Sequence, residues 1–386
     1  MRLNSFAAVV VSILGLSACG GEEPAPQAPP PAPPPAATTS ATAATTVEPA
    51  PAPAPATKPT QAELIVQSLK GIGEAFEAHD AKKLASYYAE DCVVLGFGEP
   101  DAHGRVDVEK ALQGLFDTFG DAKSAPTRVW MKGNVVITEI AWAGTMTADF
   151  MGVKASKKPT GEMRAHVMWF NDDGLVKEVH QYADGAGMMA QLEGKPKAPP
   201  VPMLPTNPPD VHTAKGTPDE DKLVEWVKTV DDAFNKDDTK DALTVIADDA
   251  DEWLNFSGKP AMKGKKEAAK GLDGWFKAFP DQKWTTTNAW GIDGFVIAEQ
   301  TMTGTQKGRL GPLPPSNKEV TWHWLEIWQP NAEGKIEHGW DYANLIEVMA
   351  QTGALKFPHD SASKVSADKA APSKSGASTD TGAIKK

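Results

Sequence analysis

Three polar side chains near the end of the first half of the chain are spaced for acid–base chemistry. His180 and Tyr182 alternate with Val176 and Glu178 in a strand-like run, and Asp184 follows two residues on. A carboxylate at the mouth of an apolar pocket has its pKa raised by desolvation, toward the range useful for proton transfer. Beside it His180 could relay a proton, and Tyr182 could donate to a developing oxyanion. A second reading stands next to this one. Asp184 is also placed to cap a helix before Met188 and Met189. If the strand face looks outward, His180 and Tyr182 belong to a sheet-to-sheet contact. His166, on the neighbouring strand, could join the set or be structural.

The second half offers aromatic surface instead. Nine of the twelve Trp lie there. Trp322, Trp324, Glu326 and Trp328 alternate, so they share one face of one strand, and His338 and Trp340 lie on the next. Such a wall suits a flat apolar or sugar-like ligand with Glu326 as its polar contact. It equally suits a well-filled core, or a face packed against the first half. Trp142, Trp290, Tyr342 and Asn344 complete the candidate ligand-binding set. Asp341 falls on the face opposite Trp340 and Tyr342 and is not placed with them.

Bulk properties narrow the chemistry. A net charge of −12 argues against nucleic acid as a partner. Two Cys exclude a disulfide framework and a thiolate metal site. Cys92 lies in the apolar run Cys92-Val93-Val94-Leu95 and reads as a core residue. No nucleotide loop, Ser-His-Asp arrangement or metal spacing is present, so neither cofactor nor metal is expected. Asp248, Asp249 and Asp251 lack the calcium-loop pattern and read as a solvated turn.

The elements that position these residues occur twice. Glu139 to Gln191 and Glu299 to Gln351 each read as three strands and a closing helix. Glu139/Glu299, Gly144/Gly304, Gly174/Gly334, Tyr182/Tyr342 and Gln191/Gln351 hold one register. Upstream, Thr60 with Glu63 and Thr217 with Glu220 form matching capping boxes, the second with Pro218 at the first helical position. Ile65, Leu69, Ile72 and Phe76 repeat the spacing of Leu223, Val227, Val230 and Phe234. A tandem duplication follows. In each copy helices come first and strands after, which gives an α+β class: two cone-shaped units, each a strongly curved, mostly antiparallel sheet wrapped round three helices.

At this point the chain resembles a known family. Phe279-Pro280-Asp281 with Trp284, Gly304-Thr305, Gly311-Pro312-Leu313-Pro314-Pro315 with Lys318, Gly334-Lys335-Ile336, Tyr342 and Gln351-Thr352-Gly353 are similar to the SnoaL-like polyketide cyclase pattern. Copy one follows it more loosely, through Gly144-Thr145, Pro159-Thr160-Gly161, Asp173-Gly174, Tyr182-Ala183-Asp184 and Gln191-Leu192. The resemblance implies the nuclear transport factor 2-like cone fold, in which a bent sheet encloses a pocket. It implies a pocket more than a reaction. In cyclases of this family an Asp after the last strand is the general acid/base. Asp184 matches it, and Asn344 stands there in copy two. The His that often follows the family's Gly-Thr is replaced by Met146 and Gln306. These features favour binding of a small hydrophobic molecule, with an isomerase- or cyclase-type enzyme in copy one and a structural module with filled pockets as the other two readings. The family's habit of pairing through outer sheet faces implies that the two copies pair within the chain.

The flanks imply a location. Arg2, the apolar run Ala7 to Leu14, and Leu16-Ser17-Ala18-Cys19, which resembles the bacterial lipobox, predict a signal peptide over 1–18 and lipidation at Cys19. That places the protein in the cell envelope on a membrane, the outer one where there are two. Residues 19–59 read as a Pro/Ala-rich tether able to reach ~100 Å. The first unit spans 60–194, a Pro-rich linker 195–216, the second unit 217–358, and a tail without large apolar residues 359–386, expected to be disordered.

Overall fold

The computed structural model describes residues 58–150, 153–255 and 262–355. Cys19, the signal peptide, nearly all of the tether and the tail lie outside the described residues.

Helix α1 (Gln61–Glu77) starts where the sequence places it. The Thr60 side chain accepts from the Glu63 N–H, and the Glu63 carboxylate takes the Thr60 N–H in return. Short α2 (Ala81–Ala85) is capped by Asp80, and β1 (Tyr88–Leu95), β2 (Ala102–His103) and α3 (Arg105–Thr118) follow. Then come the long strands β3 (Lys123–Lys132), β4 (Val135–Thr145), β5 (Pro159–Phe170) and β6 (Val176–Tyr182), closed by α4 (Gly185–Glu193).

The second copy repeats the order. Helix α5 (Pro218–Phe234) has its own capping box. It leads to α6 (Thr239–Ala242), β8 (Ile246–Leu254), β9 (Met262–Lys263) and α7 (Gly264–Ala278). Strands β10 (Lys283–Ile292), β11 (Phe295–Thr305), β12 (Glu319–Pro330) and β13 (Ile336–Ala343), then α8 (Leu345–Thr352), complete it.

Each copy is a mixed sheet with helices, not closed into a barrel. The first sheet runs β2-β1-β6-β5-β4-β3-β7 and the second β10-β11-β12-β13-β8-β9. The long strands pair antiparallel, while β1 with β6 and β8 with β13 are parallel. The segment read as a linker contributes an element of its own. Strand β7 (Asp210–Thr213) adds parallel to β3, pairing Val211 with Val129 and His212 with Trp130. Three polar residues and a single Val, with no apolar run, give it no strand signature; the β3 edge templates it. Its end is tied to the second copy, because His212 and Lys215 both reach Asp293, at 3.0 and 2.6 Å.

The apolar side chains sort into three bodies. Each copy has its own interior, centred on Ile65, Phe116, Met168 and Val179 in the first and on Val227, Phe279, Trp322 and Val296 in the second. Between them, Trp130, Ile137, Val167 and Tyr182 of the first sheet pack with Trp290, Phe295, Ile297, Leu325 and Tyr342 of the second. Every long strand therefore has one face in a cone and one in this shared layer. No described helix is long and apolar enough to cross a membrane.

Candidate functional site

In the first cone the even-numbered residues of β5 look inward with Met168 and Phe170. They place Glu162, Arg164 and His166 in a row. Arg164 Nε donates to Glu162 Oε1 at 2.9 Å, and Arg164 also lies 3.5 Å from Glu99. The Asp184 N–H donates to Glu162 Oε2, so the row ends at the start of α4. Asp184 is 2% exposed and accepts the Gly187 N–H at 2.9 Å, which makes it the cap of α4. Position 187 must lack a side chain, since a Cβ there would meet Asp184 Oδ2 at 1.9 Å. Burial, opposed by the Gly187 bond and assisted by the charge of Glu162, pushes the Asp184 carboxyl up to about 7. Burial and the neighbouring Arg164 push His166 down to about 3, so its imidazole is neutral. His166 Nε2, Thr138 Oγ1 and Trp142 Nε1 are buried without hydrogen-bond partners among the described residues. Cys92 is buried in the same interior, as its apolar run indicated.

In the second cone the inward row of β12 is Trp322, Trp324, Glu326 and Trp328. Trp324 packs against Trp275, Trp284 and Trp322, with ring centroids 5.7, 5.4 and 4.7 Å away. Glu326 pairs across the sheet with Asp341 of β13, and Glu252 of β8 lies opposite Gly339 on the same face. Burial first, then mutual repulsion, raises Glu326 and Asp341 well above the usual carboxylate range. On α5, Asp231 accepts from Thr286 Oγ1 at 2.7 Å and from Gln300 Nε2 at 2.6 Å.

The layer between the sheets holds a third polar set, which is reciprocal. Tyr182 Oη donates to Glu299 Oε1 of the second copy at 2.8 Å, and Tyr342 Oη donates to Glu139 Oε1 of the first. Glu139 is held by a two-pronged Arg128, whose guanidinium lies 3.8 Å from the Trp340 ring centre. Glu299 is held by Asn288 Nδ2 at 2.7 Å and by His180 Nδ1 at 2.6 Å. Phe97, from the loop after β1, packs on His180 and Tyr182 and stacks on His323.

The model of the SnoaL-like polyketide cyclase family matches the chain twice, over residues 68–192 and 224–352, which together exceed half of it. The chain belongs to the SnoaL-like polyketide cyclase family. Among solved structures it is similar to AclR from Streptomyces galilaeus (20% identity, 36% of this chain and 99% of that one, TM-score 0.32). It is also similar to a SnoaL-like protein from Jannaschia (20%, 36% and 97%, 0.33) and to IdmH from Streptomyces antibioticus (23%, 33% and 98%, 0.30). No curated protein matches.

Within this pair of SnoaL-like domains the residues singled out from sequence are distributed over three places. Asp184, His166 and Trp142 belong to the first cone, and Trp322, Trp324 and Glu326 to the second. His180, Tyr182, Trp290, Trp340 and Tyr342 belong to the layer between the sheets. His180 and Tyr182 therefore do not converge with Asp184. Val176 does not share their face either. A register shift between Trp169 and Phe170 turns it into the first interior, where it is fully buried. His338, half-exposed on the face of Trp340, bonds Asp251 at 2.7 Å. Asn344 caps α8 and accepts the Ile346 N–H. Sequence reasoning missed Glu162 and Arg164, although Glu162-x-Arg164-x-His166 alternates just as Trp322-x-Trp324-x-Glu326 does. It also missed Glu252, whose membership depends on a parallel strand pairing that no local pattern announces. Among the described residues no group of three or more His, Cys, Asp or Glu could hold a metal ion.

Proposed function

We propose that this protein is a binding module that holds a small apolar or aromatic molecule inside its cones. The observation that carries the reading is the set of polar atoms without partners among the described residues on inward faces: Thr138 Oγ1 and His166 Nε2 in the first cone, Asp341 Oδ1 in the second. A buried group in that state costs about 1–3 kcal/mol, and a ligand that bonds it offsets the cost. Aromatic walls with a few convergent polar groups suit a mostly apolar body. Titrating the protein with a panel of hydrophobic envelope compounds is the test. Saturable quenching of Trp emission together with a raised melting temperature is the expected result. Unchanged emission and melting across the panel would remove the binding reading.

A second reading is favoured by Asp184, whose carboxyl sits at about 7 beside Glu162. In this reading it exchanges a proton with an acidic C–H or a carbonyl oxygen, as in an isomerase or cyclase, without a cofactor. His180 and Tyr182 have no part in it, since both bond Glu299. Turnover of a ketone or ester that survives Asp184→Asn unchanged would exclude Asp184 as the base.

The lipobox-like Leu16-Ser17-Ala18-Cys19 supports a lipid anchor at Cys19 and a place in the cell envelope. Cys19→Ala is expected to release the protein into the soluble fraction; retention on membranes would remove that anchor.

A further inference from the structure

Duplication gives each inward position of the second cone a counterpart in the first. Glu326 stands where the first cone has His166, and Asp341 where it has Gln181. Glu252 stands where it has Val94, and Gly339 where it has Val179. The acidic group is therefore special to the second cone rather than a demand of the shared fold.

This group is not solved as a structural network. Glu252 and Asp341 share a hydrogen bond. Glu326, nine-tenths buried, makes no hydrogen bond among the described residues, and neither does Asp341 Oδ1. Among the described residues, the charged neighbours that act on the group are acidic: Glu252 from β8 and Asp231 from α5 on Glu326, and Glu252 and Glu326 on Asp341. From β11 the facing positions across the sheet are Ala298 and Gln300, and Gln300 is already committed to Asp231. The three acids have no metal-holding arrangement. Along β12, Glu326 is flanked on its own face by Trp324 and Trp328. Gly339 lies beside it on the same face, where a Cβ would meet Glu252 Cγ at 3.5 Å and Trp328 Cδ1 at 3.6 Å, at ordinary contact.

We propose that the second cone is a site for a small organic ammonium ion. Its positive head sits among Glu326, Asp341 and Glu252, and its alkyl body lies beside Gly339 against the indoles of Trp324 and Trp328. An ammonium head offsets the burial and the acidic neighbours that raise these carboxyl groups, and indole rings attract such a cation. Each carboxylate that ionises on binding releases one proton to the buffer, so affinity rises with pH. This inference rests on the binding reading above and narrows it to one domain and one ligand class.

The test uses the whole protein, with tetramethylammonium chloride and its neutral analogue neopentyl alcohol as probes. Calorimetry in two buffers of different ionisation enthalpy, at pH 6 and pH 8, is followed alongside Trp fluorescence. The expected result is saturable ammonium binding, at least about tenfold tighter than the alcohol, a gap of about 1.4 kcal/mol, with proton release and tighter binding at pH 8. Glu326→Gln and Asp341→Asn should weaken it. Gly339→Val restores the residue of the first cone without touching a charge, and should abolish it at an unchanged melting temperature. Equal binding of both probes overturns the ammonium assignment and leaves the binding reading standing. The same follows if neither probe binds while the hydrophobic panel does. Silence from both probes and the panel removes both.

Discussion

At the scale of single residues, His180 and Asp184 both contribute to how this protein responds to pH. Burial alone would lower the His180 pKa, but the hydrogen bonds and charges of Glu299 and Glu178 more than reverse that and hold it above its ordinary value. Its contribution to stability is therefore complete below the ordinary histidine pKa and is lost as pH rises through the higher folded one. Asp184 acts in the same direction. Its folded pKa of about 7 exceeds the ordinary 3.8, so the folded state binds the extra proton and stability falls as pH climbs between the two. The urea midpoint is expected to drop from pH 5 to pH 8, with His180→Gln and Asp184→Asn each flattening part of the fall. A wild-type midpoint that stays level over this range would show that neither group is linked to folding. Asp184 was legible in the sequence as both a cap and a candidate acid, and the structure places it as the cap of α4. The partner of His180 was not legible, since Glu299 lies 119 residues away.

At the scale of elements, the two sheets meet through equivalent strands that carry unequal residues. Glu139 and Glu299 occupy matching places on β4 and β11, and each receives a Tyr from the opposite copy. Their partners differ. The first takes Arg128 from its own β3, while the second takes Asn288 from β10 and His180 from across the layer. Glu139 is 2% exposed, so removing its cation strands a buried charge. Arg128→Ala is expected to cost about 3–5 kcal/mol in chemical denaturation. Adding Glu139→Gln should recover most of that loss. A single-variant loss under about 1 kcal/mol, the range of exposed pairs, would show that the carboxylate is relieved by some other group. Three long strands and the capped first helix of each copy were readable from alternation and turn chemistry, whereas β3 and β10 were not. Which face of β6 and β13 looks inward was not. Alternation gives two faces and no names for them, and the shifts beside Phe170 and Pro330 break the count.

At the scale of the whole molecule, three apolar bodies are stacked in one chain: two interiors and the layer between sheets. Strand β7 adds a covalent strap, since it completes the first sheet and runs directly into α5 of the second copy. The Pro-rich stretch before it, 196–209, carries no regular element. A protease cut introduced there should leave two fragments that still migrate as one particle of full-length mass by light scattering. Fragments that separate in buffer would show that the shared layer cannot hold the copies together unaided.

The sequence by itself determined the duplication, the α+β class, the capping boxes and three long strands of each copy, and the family. These follow from local spacing, and local spacing survives in the linear chain. Tertiary structure alone decided that His180 and Tyr182 face Glu299, that Trp340 and Trp322 lie on opposite sides of one sheet, and that Glu252 joins Glu326 and Asp341. Each of these depends on a pairing between distant strands, and such pairings are fixed only when both sheets bury their faces at once.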